Sequence, residues 1–326
     1  MLPWFENRFP LYLAPMAGVS NSVFRRICKE HGADVVVTEF VSADGIMHKN
    51  KRTREYLEFH EEERPVGVQL FGAEPERLAE AAKQVCDWVR PDFIDLNFGC
   101  PVNKVVSKNG GSALLKDCPL LEKVARAVVR ASPVPVTAKI RLGWSNDSVN
   151  ACHNAKILEE AGIRAIAVHG RTKEQGYSGA ANWEEIGAVA EAVCIPVIGN
   201  GDIARAEDVV RHRQSSRIRG VMIGRAAMSG PWIFGQIRHY LKTGEILPEP
   251  SLEDRWGMIV RHCHLEIESR GSEIPVMHSM RARLMAYSRG MPGGKNLRNL
   301  LQRVSLAADV ERIAEEHLLQ QQMVVG

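Results

Sequence analysis

The segment Phe93-Ile-Asp-Leu-Asn-Phe-Gly-Cys-Pro101 carries a thiol, Cys100, between a glycine and a proline at the point where an apolar run breaks. A structural cysteine packs inside such a run as a small hydrophobe. One placed at the junction of strand and loop sits where α/β proteins do chemistry. Three roles are open to it. No second thiol or spaced histidine accompanies Cys100, which disfavours a metal ligand. A nucleophile needs a base, and His169 could serve. A general acid needs only a thiol that keeps its proton, as a free cysteine with a pKa of about 8.5 does at neutral pH.

Other chemistry-bearing residues recur in the same setting. Short apolar runs end in Met16, Glu39, Gln69, Asn97, Lys139 with Arg141, His169 with Arg171, Asn200 with Asp202, and Arg225. So many polar groups at the ends of apolar strands are costly to bury unless they converge on a ligand. IGNGDI and IGRAAM close the last two runs in glycine-rich turns that expose backbone N–H groups, which suits phosphate, and Arg225 adds a charged donor. Lys139 and Gln69 suit the polar, partly anionic edge of a flavin, with Met16 and Ala17 packed on its face.

The elements that must position these residues follow from periodicity. The runs LYLAPMAG, DVVVTEF, VGVQLFG, FIDLNFGC, VTAKIRLG, AIAVHGR, IPVIGNG and RGVMIGR are continuously apolar, as strands buried on both faces are. Amphipathic segments such as PERLAEAAKQVCDWV and PLLEKVARAVVRA separate them. About eight strand-helix units predict a (β/α)8 TIM barrel, and no G-x-G-x-x-G turn follows the first run to favour an open sheet. The beat stops after RGVMIGR and a Pro- and Glu-rich break follows at Leu247 to Ser251. The reading is a barrel over residues 1–245 and an all-helical domain over 246–326.

Composition bounds the rest. The chain has 326 residues and a formal net charge of only +3, so any polyanion surface must be local. Seven scattered cysteines without C-x-x-C spacing point to a reducing compartment and no disulfide framework. The absence of a basic, apolar leader or a membrane-length run gives a cytoplasmic expectation, with no membrane and no metal partner. From Met277 to Arg303 the chain carries Arg281, Arg283, Arg289, Lys295, Arg298 and Arg303 and no carboxylate. Such a run is either a solvated helix face or a track for an RNA backbone.

With these residues on the page the sequence resembles the tRNA-dihydrouridine synthases, near their bacterial B-type branch. The resemblance rests on APMAG (Ala14 to Gly18), VQLFG (Val68 to Gly72), DLNFGCP (Asp95 to Pro101), NGGSALL (Asn109 to Leu115) and KIRLGW (Lys139 to Trp144). VHGRT (Val168 to Thr172), GNGDI (Gly199 to Ile203) and IGRAAMSGPWIF (Ile223 to Phe234) continue it in order along the chain. It implies reduction of uridine in tRNA to 5,6-dihydrouridine by a monomer using FMN, with NADPH or NADH as reductant. By the same carry-over Pro15, Met16, Ala17, Gln69, Lys139, His169, Asn200, Gly201, Asp202, Gly224 and Arg225 hold FMN. Asn97, Arg141 and Arg171 contact the target base, Cys100 protonates it, and Arg281, Arg283, Arg289, Lys295 and Arg298 bind RNA. Asn21 and Asn182 stand where the family usually has Asp, and keep the shape to cap a helix. The competing expectations are an FMN barrel acting on a small molecule, in the manner of a dihydroorotate dehydrogenase, and an RNA-binding scaffold without activity.

Overall fold

The structure, a computed structural model, describes residues 2–48, 51–106 and 109–325. Eight parallel strands form the frame: β1 (Leu11–Leu13), β2 (Val35–Val37), β3 (Val66–Phe71), β4 (Phe93–Phe98), β5 (Val136–Arg141), β6 (Ile166–His169), β7 (Val197–Asn200) and β8 (Gly220–Ile223). Each pairs with the next in register, for example Gln69 with Asp95, Asp95 with Thr137 and Asn97 with Lys139. Pairing of Leu11 with Val221 closes the ring, so the sheet has no exposed edge and the predicted (β/α)8 barrel is the observed one. A two-residue strand, Val41–Ser42, adds to the outer end of β3.

The strands form where the sequence is Val-, Ile- and Leu-rich because both faces are buried, one against the barrel interior and one against helices. Helices α1 (Ser22–Glu30), α2 (Pro75–Val89), α3 (Cys118–Ala131), α4 (Ala151–Glu160), α5 (Trp183–Ala192) and α6 (Ala206–Ser215) follow β1, β3, β4, β5, β6 and β7, and two short helices, Ala43–Met47 and Lys51–Glu55, follow β2. In α2 a proline opens the first turn, Leu78, Ala81, Ala82 and Val85 face inward at three- and four-residue spacing, and Arg90 ends the helix in a left-handed conformation. Burying a residue such as Leu78 contributes about 1.5–3 kcal/mol. Asn21 and Asn182 do cap α1 and α5, their Oδ1 atoms accepting from Phe24 N and Glu185 N at 3.1 Å each.

Side chains alternate in and out along a strand, and this period decides what the barrel contains. The lower interior is apolar: Tyr12, Val35, Val37, Phe93, Ala165, Ala167, Ile198 and Met222 pack together with Leu2 and Phe5 of the N-terminal segment, which plugs that end. Phe93 fills the axis because its neighbour is Gly67, where a Cβ would lie 2.2 Å from the Phe93 ring. Two residues further along the same inward faces come Gln69, Asp95 and Asn97, Thr137 and Lys139, His169 and Asn200. The polar layer is therefore a consequence of strand parity.

After β8 come α7 (Arg225–Ser229), α8 (Ile233–Thr243), α9 (Leu252–Arg270), α10 (Glu273–Tyr287), α11 (Gly294–Leu301) and α12 (Ala307–Val325). They make a second compact unit around Trp256, Ile259, Cys263, Met277, Leu284, Tyr287, Leu301 and Val310. The chain's contacts divide it after Gly224, where the sequence reading put the boundary near 245, and within the second unit α7 packs on α10.

Candidate active site

The Cys100 loop is held from three sides. Asn97 Oδ1 accepts from the backbone N–H groups of Gly99 (3.1 Å) and Cys100 (2.8 Å). Arg141 Nε donates to the Gly99 carbonyl at 2.9 Å. The Cys100 carbonyl accepts from Ser112 through both its N–H (3.1 Å) and its hydroxyl (2.9 Å). The return strand of the loop passes so close that a Cβ on Gly111, which has φ +59°, would lie 2.9 Å from that carbonyl oxygen. A side chain there is excluded by space and by backbone conformation together.

The thiol is buried, with 7% of its surface exposed. Burial pushes its pKa up, and a backbone hydrogen bond at Val102 and the positive charges of Arg141 and Lys139 pull it partly back. The thiol thus holds its proton at neutral pH, while two cations stand ready to reduce the cost of the thiolate left when the proton departs.

Lys139 is the second centre. Its Nζ donates to Asn200 Oδ1 at 3.1 Å, and Asn200 Nδ2 in turn donates to the Met222 carbonyl at 2.7 Å, which fixes the amide with its oxygen toward the lysine. Desolvation first, then repulsion from Arg141, lower the Lys139 pKa to about 8. A cation destabilised this way gains from an incoming anion or strongly polarised oxygen.

The structure joins the predicted residues into groups. Gln69 Oε1 accepts from Asn97 Nδ2 at 2.8 Å, linking both to Cys100, and Met16 Sδ lies 3.5 Å from where a Gly224 Cβ would stand. Pro15 and Met16 are half-buried and Ala17 is exposed, beyond the end of β1. His169 sits 3.5 Å from Arg171 Nη1. Arg171 is buried, bonded to Asp202 Oδ2 at 2.7 Å and to the carbonyls of Ser178 and Gly179. Asp202 Oδ2 also accepts from Ala181 N at 2.7 Å, and Gly201 (φ +132°) and Asp202 (φ 52°) make the turn beyond β7. Arg141 spends its Nη1 on the carbonyls of Thr172 (2.8 Å) and Gly176 (2.9 Å), so both arginines expected at the substrate brace the loops around the mouth. Gly224 ends the barrel unit and Arg225 begins the helical one.

In the helical unit Arg289, Lys295 and Arg298 are exposed, and Arg281 is half-buried with its Nε on the Val304 carbonyl. Arg283 departs from the expectation of a one-sided basic face. It is 8% exposed, because it falls on the same stripe of α10 as Val276, Met280, Leu284 and Tyr287, and its charge acts on the buried His262. Sequence reasoning also missed Asp95 and Thr137, which underlie Gln69, the Ser112 brace, and Tyr177, a largely exposed ring whose centre lies 6.0 Å from the Arg141 guanidinium. An aspartate inside the apolar run FIDLN was the legible signal among these, since a strand buried on both faces admits a carboxylate only with partners.

Comparison with known proteins places this geometry. The family model for dihydrouridine synthase matches residues 12–323. The tRNA-dihydrouridine synthase B of Pseudomonas aeruginosa is 42% identical over 288 residues, covering 88% of this chain and 86% of that one. A probable tRNA-dihydrouridine synthase of Rickettsia bellii is 41% identical, covering 88% of each chain. Among solved structures, histamine dehydrogenase from Rhizobium sp. 4-9 shares the fold with a TM-score of 0.51 at 14% identity, over 72% of this chain and 45% of that one. A match over nearly the whole chain, with the Cys100 loop and the Lys139 layer inside it, means that the chain belongs to the dihydrouridine synthase family of oxidoreductases, among its B-type members.

Proposed function

We propose that this protein adds hydrogen across the C5–C6 double bond of uridine in tRNA, using FMN and NADPH, with Cys100 as the acid. The observation that carries the reading is the clamp of Asn97, Arg141 and Ser112 on the backbone that presents the buried Cys100, whose thiol burial pushes up in pKa and Arg141 and Lys139 pull partly back. FMN held by the residues named below would supply the hydride for uracil C6, with NADPH as its source. Cys100 delivers the proton to C5, so the ring gains one hydride and one proton and the thiol becomes a thiolate. Arg141 and Lys139 lower the cost of that thiolate, and solvent restores its proton before the next turnover.

The donor set fits FMN. Lys139 offers a partly buried cation paired with an amide rather than a carboxylate, which suits the anionic edge of a reduced flavin. Gln69 retains one N–H for the imide edge, His169 and Asn200 border the same layer, and Met16 packs beside Gly224. The backbone of Gly201, Asp202 and Gly224 offers N–H groups to a phosphate. The exposed Arg289, Lys295 and Arg298, with Arg281, hold tRNA by its backbone, and the target uridine leaves its stack to reach the thiol.

The test is dihydrouridine content, position by position, in tRNA from cells lacking the gene, before and after incubation with purified protein and NADPH. Loss at defined positions and restoration by the protein are expected. Unchanged tRNA in both arms would sink the reading.

A further inference from the structure

Asp95 lies beneath the site, 3% exposed, in the interior layer shared by β3, β4 and β5. Its Oδ1 accepts from the Thr137 hydroxyl at 2.6 Å and its Oδ2 from Gln69 Nε2 at 2.7 Å. Gln69 Oε1 then accepts from Asn97 Nδ2 at 2.8 Å, and Asn97 Oδ1 accepts the N–H groups of Gly99 and Cys100. Every bond in this chain points the same way, and both ends compel it. Backbone N–H groups can only donate, so Asn97 must turn its oxygen toward the Cys100 loop and its nitrogen toward Gln69. Gln69 must then present its oxygen to Asn97 and its nitrogen to position 95, where an acceptor has to stand.

We infer that Asp95 is a positioning residue that acts through Gln69 and Asn97, fixing which end of each amide faces the mouth. Both lone pairs of Asn97 Oδ1 are occupied, so Asn97 has only its second N–H to offer a ligand. An N–H donates, so its partner must be an acceptor. A ring edge bearing a carbonyl, such as uracil, is matched, whereas one bearing an amino group, such as cytosine, sets donor against donor. This consequence rests on the proposed function, while the polarity of the amides does not. Thr137 has a part in it, since its hydroxyl stops the carboxylate from rotating about its last bond.

Two substitutions separate polarity from charge. Asp95→Asn keeps an acceptor toward Gln69 and turns its own amide nitrogen to Thr137 Oγ1, which can accept. Asp95→Leu keeps much of the volume and removes the acceptor. Hydrogen exchange at the Gly99 and Cys100 amides and the alkylation rate of Cys100 by iodoacetamide report on the loop without RNA or cofactor. Turnover on tRNA, split into kcat and KM, reports on the reaction. Asp95→Asn should stay within about threefold of wild type in all of these. Asp95→Leu should lose amide protection and at least tenfold in kcat, with KM for tRNA unchanged. Where Asp95→Leu fails to fold, the near-isosteric Thr137→Val should move the same readouts in the same direction by about threefold. Unaltered protection and kcat in the variants that remove a bond to the carboxylate would overturn the inference, as would a tenfold loss in Asp95→Asn, which would make the charge itself the working feature. A protein that forms no dihydrouridine would refute the proposed function and leave the exchange and alkylation results to decide this one.

Discussion

Gly111→Ala tests whether the position of the thiol, rather than its presence, controls the reaction. At this residue φ is +59°, a conformation that costs an L-residue roughly 1–2 kcal/mol. The added Cβ would stand 2.9 Å from the Cys100 carbonyl oxygen, 2.9 Å from Val105 Cγ1 and 3.1 Å from Cys100 Cβ, all on the loop that carries Cys100. Ordinary contact begins near 3.4 Å, so the Cys100 backbone must retreat by about half an ångström. A misplacement of 1 Å costs on the order of 10²-fold in rate, and half of that about tenfold. The neighbouring Gly110 is the control: its φ is −92° and a Cβ there would meet the Val105 carbonyl at 3.4 Å, a contact already within the ordinary range. Gly111→Ala should therefore lose about tenfold in dihydrouridine formation and a few kilocalories per mole of stability, while Gly110→Ala keeps most of both. Rates are read on a tRNA transcript with saturating NADPH and stability by denaturant unfolding. Equal activity in the two variants would show that the Cys100 loop tolerates displacement and that its clamp does not control the reaction.

Removing the thiol itself, as Cys100→Ala, should leave flavin binding and its reduction by NADPH intact, as followed by flavin absorbance, and lower turnover on tRNA by about 10²–10⁴-fold. Combined Arg289→Ala, Lys295→Ala and Arg298→Ala should weaken tRNA binding uniformly and reduce the salt slope of log K by roughly two to three, measured by filter binding across a salt series. Arg283→Ala should instead show its effect in thermal unfolding, since that side chain is buried. His212 stacks on Trp183 with ring centres 3.6 Å apart, and burial lowers its pKa to about 4. The folded state then binds fewer protons than the unfolded chain, whose histidine titrates near 6.5. Stability is unaffected by this group above about pH 6.5 and falls as pH drops from there toward 4, by up to about 3 kcal/mol. The buried His262, also shifted down, adds in the same direction. Denaturant midpoints from pH 7 to 4 should be flatter for His212→Gln than for wild type.

Much of the barrel was legible because its strands are buried on both faces. Runs such as Val35-Val36-Val37 or Phe93-Ile94 leave no alternation to confuse with a helix, and eight of them gave the ring its size. The residues at their ends could be named for the same reason: parity sends Gln69, Asn97, Lys139, His169 and Asn200 inward together. What resisted reading depends on partners distant in sequence. Arg141 and Arg171 stand out as cations in a linear chain, but the loop carbonyls that their donors meet, 31 to 35 and 7 to 8 residues away, are not marked in it.

Arg283 shows the same limit from the other side. Charge spacing placed it with Arg281 and Arg289, while the apolar stripe Val276, Met280, Leu284, Tyr287 already marked its face of α10 as buried. A basic run must be read against helical period before it is read as a surface. Asp95 is the complementary case, a carboxylate at an inward position of a strand whose other residues, Asn97 apart, are apolar. Parity alone puts it directly below Asn97, and an ionisable group two residues before the side chain that holds the Cys100 loop, on the same face, has few ways to be satisfied except through the residues that hold that loop. The barrel's period thus determines both which polar groups reach the mouth and which lie beneath to orient them, and the second set is the one a motif does not record.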